Sequence, residues 1–234
     1  MNNQAFILPQ KWAYALGVAV IVFLVAVPIY LFKAASTSDI TQVISAGTLT
    51  VDIRDASRVS VSSPSVSLTS KTFSFNCQSG GSASTGSLGS NTQRIYVDNP
   101  SATSTGWNLS IAATSGATAL WTSGGNTYDF NDATGSGCTD GADADSKGGQ
   151  LTINPAAGAI TTDCSSCTTT GVSLQSSAAF VQTTTDSVTL VVATSGSDPV
   201  WRGYFTGISL SQTIPAEAPA GTYTLNMTLT ITAT

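Results

Sequence analysis

Histidine is absent from this chain, and glutamate occurs once, at Glu217. Those two gaps exclude a Ser-His-Asp triad, a Cys-His pair and a histidine-liganded metal hydrolase. Charge is scarce as well. Charged residues make up 9% of the chain, against about 25% in an ordinary globular protein. Beyond Lys33, six basic side chains stand against thirteen acidic ones, a balance of −7. Neutralising phosphates takes clusters of cations, so nucleic acid is not an expected partner. Paired aspartates in the manner of glycosidases are the main carboxylate chemistry left. The aspartates here gather in one irregular loop, and we read the chain as non-catalytic.

Long apolar runs are also few. Residues 12–32 read WAYALGVAVIVFLVAVPIYLF, 21 positions without a charge. That suffices for one membrane-spanning helix. Trp12 and Tyr14 at one end, and Tyr30 and Phe32 at the other, suit the two interfaces. Lys11 and the amino terminus favour an N-terminus inside and the remainder outside. The segment reads as a retained transmembrane anchor or as a signal helix, and both fates stay open. The division expected is 1–33 for the signal or anchor helix, 34–45 for a polar linker and 46–234 for an extracellular domain, membrane-anchored or secreted.

What the chain has in abundance is serine, threonine and glycine, set in a sequence that is 41% hydrophobic. Low charge with that hydrophobicity is not the signature of disorder. Helical periodicity is missing after residue 33, and two-residue alternation recurs instead. The alternating stretches are 47–54, 71–75, 93–98, 107–112, 150–153, 187–192, 204–212 and 223–232. In the last of these, Tyr223, Leu225, Met227, Leu229 and Ile231 share one face, and threonines and Asn226 hold the other. Gly, Ser, Asn and Pro punctuate the stretches, and 79–91 reads as a low-complexity loop or hairpin tip. The expectation is an all-β antiparallel β-sandwich, Greek-key or jelly-roll-like, preceded by one N-terminal transmembrane or signal helix.

Four cysteines, Cys77, Cys138, Cys164 and Cys167, form an even set suited to two disulfides with three possible connectivities. The Cys164-Ser-Ser-Cys167 spacing lies in a Ser/Thr tract without the helix that a redox motif needs. Residues 128–150 carry Asp129, Asn131, Asp132, Asp140, Asp143 and Asp145 among glycines. Such oxygens could surround Ca²⁺, although Lys147 and the lack of a closing Glu rule out an EF-hand. A solvated acidic loop pinned by Cys138 is the other reading. No other cofactor is expected. Trp107 and Trp121 read as packing residues or, if exposed, as platforms for sugar rings.

Several segments resemble the WxL-domain family of bacterial cell-surface proteins: ISAGTLTVDI (44–53), GWNLSIAAT (106–114), LTINPAAGAI (151–160) and LSQTIPAEAPAGTYTLNMTLTIT (210–232). The Trp-x-Leu element falls on Trp107 and Leu109. In the closing strand, Leu229 stands between Thr228 and Thr230 where the family has a second Trp. The resemblance implies a non-catalytic cell-wall-associated binding module, with peptidoglycan or another cell-surface polymer as partner and Trp107 and Leu109 as contacts. An apolar N-terminal segment followed by Ala46-Gly-Thr-Leu49 also resembles the camelysin and biofilm-matrix fibre family. That likeness implies a self-associating, pilus-like subunit that donates residues 38–54 to a neighbour.

Overall fold

The computed structural model describes residues 41–102, 105–141 and 147–234. The chain divides into two units, 1–44 and 45–234, and the second begins one residue before the expected boundary at 46. The charge-free run at 12–32 lies outside the described residues. Among the described residues, no helix is long and apolar enough to cross a membrane.

Residues 45–234 form an all-β sandwich. In chain order the strands are β1 (Thr50–Arg54), β2 (Ser84–Leu88), β3 (Arg94–Asn99), β4 (Trp107–Ala113), β5 (Trp121–Ser123), β6 (Asn126–Tyr128), β7 (Leu151–Asn154), β8 (Ala159–Thr162), β9 (Val172–Leu174), β10 (Ala178–Ala179), β11 (Ser187–Ala193), β12 (Trp201–Thr206), β13 (Ile208–Gln212) and β14 (Met227–Ala233). They build three four-stranded antiparallel sheets, ordered β1-β3-β12-β8, β10-β7-β13-β2 and β14-β4-β11-β9, plus the hairpin β5-β6.

The first two sheets share three passages of chain. Strands β2 and β3, β7 and β8, and β12 and β13 each leave one sheet and enter the other. The crossing points are 89–93, 155–158 and the single residue Gly207. A corner made by strands that change sheet requires local bends or bulges. Gly89 sits at such a bend with φ 79°. A Cβ there would stand 2.7 Å from the Phe205 carbonyl oxygen, so the site demands glycine for both conformation and space.

Alternation explains which side chains enter the core. In β4, Trp107, Leu109, Ile111 and Ala113 are buried while Asn108, Ser110 and Ala112 face outward. In β12, Trp201, Gly203 and Phe205 point inward and Arg202, Tyr204 and Thr206 outward. The layers meet at an aromatic cluster. The rings of Trp107 and Trp201 lie 5.5 Å apart, those of Trp201 and Phe205 5.9 Å, and those of Trp107 and Phe205 6.4 Å. Gly203 makes room for this cluster, because a Cβ there would stand 2.5 Å from the Trp201 ring.

Three expectations are corrected. The Lys71–Phe75 alternation forms no strand, and Phe73 and Phe75 are exposed at 48% and 75%. Nothing on the far side buries that face, so the pattern alone does not make a ladder. The tract at 79–91 contains β2, whose small polar residues pair with β13 over five positions. Of the stretch implied for donation to a neighbour, residues 50–54 pair with β3 of their own chain.

Truncating the aromatic cluster is expected to cost about 3–5 kcal/mol. Trp107→Ala should lower the melting temperature by on the order of 10 °C. A melting curve within about 2 °C of the parent would remove the cluster from its structural role.

Candidate functional site

Trp107 and Leu109 are both completely buried. Their strand is interior, with β14 on one side and β11 on the other. The expected wall-contacting pair therefore offers no surface to a ligand, and its geometry is that of core packing. Trp121, by contrast, is half-buried beside Tyr128, and its indole N–H donates to Gln212 Oε1 at 2.9 Å.

The aspartate-rich segment is partly drawn inward. Asp129, Asn131 and Asp132 are each at most 2% exposed, because Phe130 between them enters the core against Phe180. Asn131 Nδ2 donates to the Ala117 carbonyl at 2.9 Å, and Asp132 Oδ1 accepts the Gly141 N–H at 3.1 Å. These side chains satisfy backbone groups of the surrounding loops, as Asx side chains do in tight turns. Asp140 is half-buried, and Asp143 and Asp145 lie outside the described residues. Among the described residues, no three His, Cys, Asp or Glu side chains converge as a metal-holding group.

The cysteine pairing is Cys77–Cys138, with Cα atoms 5.5 Å apart, and Cys164–Cys167, with Cα atoms 5.4 Å apart. The first staples the extended 60–78 segment to the aspartate-rich loop across 61 positions. The second closes the turn after β8.

Register assembles a charged face that no local pattern announces. On the outer side of the β1-β3-β12-β8 sheet, Asp52 lies opposite Tyr96, Arg54 opposite Arg94, Arg202 opposite Asp98, and Tyr204 opposite Tyr96. Arg54 bonds Asp52 at 3.0 Å and Asp98 at 2.6 Å. Arg58, from the turn after β1, pairs with Asp163, and Arg202 Nε donates to the Asp163 carbonyl at 2.8 Å. Arg94 is different. Its guanidinium stands over the Tyr204 ring, 4.4 Å from the centroid. Its Nε is buried without an acceptor, an arrangement that costs about 1–3 kcal/mol. Four of the six cations beyond Lys33 thus share one face.

Burial raises the Asp52 pKa, but the hydrogen bonds from Ser60 and Arg54 outweigh it and hold the carboxyl below its ordinary value. Burial also works against the charged form of Arg54, and Asp52 and Asp98 more than restore it. The Asp163 hydrogen bond raises Arg58.

The free edges form the second notable feature. Among the described residues, β14 pairs on one side only, with β4. Its sequence, MTLTITA, holds no charge and no proline. Met227, Leu229 and Ile231 point inward yet stay half-exposed, and Met227 and Leu229 line an apolar groove of about 350 Å³ with Ile53, Leu68 and Ile111. The other edges are guarded or short. β1 carries Asp52 and Arg54, β8, β9 and β10 have four, three and two residues, and β2 receives a hydrogen bond at Thr85 from Thr69 N–H, 2.7 Å.

Two expectations follow. Removing Cys77–Cys138 as the double alanine variant relaxes a loop long enough to be worth about 4 kcal/mol, while opening Cys164–Cys167 releases one worth about 2 kcal/mol. Scanning calorimetry should therefore show the larger fall in melting temperature for the first. Asp52 has a lowered folded-state pKa, so its contribution is present above about pH 4 and lost as pH falls through the folded value. Asp52→Asn should melt about 1–3 °C below the parent at pH 6, with the gap narrowing as the pH falls below about 4. A gap that widens on acidification would contradict this sign.

No protein-family model matches the chain, and no curated protein or solved structure matches it either.

Proposed function

We propose that this protein is a non-catalytic structural module of the cell surface that associates with further copies of itself through the open edge of β14. The edge is the observation that carries the reading. An unguarded strand presents a row of unpaired N–H and C=O groups, and natural proteins ordinarily protect such edges with lysine, proline, bulges or short length. The seven residues of β14 have none of these protections. Its uncharged face allows two copies to meet antiparallel without like charges opposing, which gives a two-fold, self-complementary contact.

Three further features support the reading. Two disulfides suit an oxidising, extracytoplasmic compartment. Hydroxyls and amides rather than charges supply the solubility. The absence of histidine and the single glutamate leave little for acid–base chemistry. The charge-free run at 12–32 supplies the route out of the cell and, if retained, the tether.

Sedimentation of the full chain over a hundredfold concentration range tests the proposal. The parent should associate, and Thr230→Lys, which puts a cation on the outward face of the edge, should remain monomeric with an unchanged melting temperature. A parent that is monomeric throughout, or a Thr230→Lys variant that associates equally, would sink it.

A further inference from the structure

Around Arg94 the outer face of the β1-β3-β12-β8 sheet dips into a polar depression of about 330 Å³. Arg58, Arg94, Tyr204, Thr161, Thr162 and Asp163 line it. That volume falls at the lower end of the range for small-ligand sites. Its chemistry is unlike the rest of the domain. The domain beyond Lys33 carries −7 overall, whereas here Arg58 and Arg202 both engage the single carboxylate of Asp163. Arg94 adds a third cation.

No carboxylate or carbonyl holds Arg94 among the described residues. It is kept in place by the Tyr204 ring 4.4 Å below it, and its buried Nε lacks an acceptor. Arg54, directly opposite on β1, is by contrast taken up by Asp52 and Asp98. A planar guanidinium fixed on an aromatic ring, with its terminal amino groups uncommitted, is preorganised for a carboxylate, which it can take in a bidentate manner.

We propose that this depression binds a carboxylate-bearing sugar unit, a uronate of an extracellular polysaccharide. The carboxylate pairs with Arg94, with Arg58 beside it. The hydroxyls of Thr161 and Thr162 and the acceptor oxygens of Asp163 meet the ring hydroxyls. A peptide carboxylate fits less well. β3 and β12 are interior strands whose backbone groups are already paired, and the one edge strand at the depression, β8 with Thr161 and Thr162, has only four residues to offer an added strand. The depression also has no apolar pocket to select a peptide side chain. The choice of a polysaccharide as the source rests on the cell-surface reading above, whereas the carboxylate site at Arg94 stands independently of β14 association.

Affinity electrophoresis of the full chain through gels containing polygalacturonate, neutral galactan or polyglutamate tests the assignment. Polygalacturonate should retard the parent and galactan should not. Arg94→Gln should weaken the retardation at least about tenfold, while Lys71→Gln, which removes a cation away from this face, should leave it intact. Arg58→Gln serves as a second variant and should weaken it too, and thermal melts confirm that each variant is folded. Equal loss in Arg94→Gln and Lys71→Gln would reduce the effect to net charge and overturn the site. Retardation by galactan, or by polyglutamate as strong as by polygalacturonate, would overturn the uronate.

Discussion

The contact on which the rest depends is that of Trp107, from the middle strand of one layer, with Trp201 and Phe205 from a middle strand of the other. A sandwich of this size must bury two wide faces without help from charge, since the chain has few charges to spare. Three large rings with centroids within 6.4 Å supply both area and a defined offset geometry. Gly203 is the complement of that arrangement, because any side chain there would displace the Trp201 ring. Once these rings are placed, the pleat decides everything outside them. Arg202 and Tyr204 must point outward because Trp201, Gly203 and Phe205 point inward. The charged face is thus a consequence of the core.

Much of the fold was legible where large apolar residues alternate with polar ones. β4 and β11 declare themselves in this way, as does the second half of 223–232, whereas the 204–212 alternation runs across Gly207 and joins the end of β12 to β13, which belong to different sheets. β2 was not legible, because STGSL has almost nothing to bury and is held by its pairing with β13. The reverse error falls at Lys71–Phe75, where Phe73 and Phe75 alternate but stay exposed. Alternation reports a face that would gain from burial. It does not report whether a second layer exists there.

The candidate sites divide in the same way. The four cysteines pair as two disulfides, but only the structure shows which with which. The sequence left Trp107 open between a packing residue and a sugar platform, and its burial in an interior strand gives it a packing role. The aspartates of 129–132 were conspicuous as a charged run, yet Phe130 draws them under the surface, where Asp132 accepts a backbone N–H and Asn131 donates to a backbone carbonyl. The arginine face had no sequence signature. Arg54, Arg94 and Arg202 are scattered along the chain and become neighbours only through the registers of β1, β3 and β12.

The charged face and the bare edge also constrain each other. The domain concentrates most of its cations on one sheet and leaves the opposite sheet with hydroxyl-bearing residues, among them Ser110, Thr228, Thr230 and Thr232. A lysine on β14 would guard its edge in the usual way, so its absence there, in a chain that does place arginine on the β1 edge, is selective. Electrostatics offers the same distinction from the other side. Like charges across a strand pair are destabilising, and at Arg54 and Arg94 the fold accepts that cost, compensating one arginine with two carboxylates and the other with an aromatic ring. A sheet face that keeps such a charge pair, and a sheet edge that keeps none, are suited to different neighbours: the first to an anionic ligand, the second to another uncharged strand.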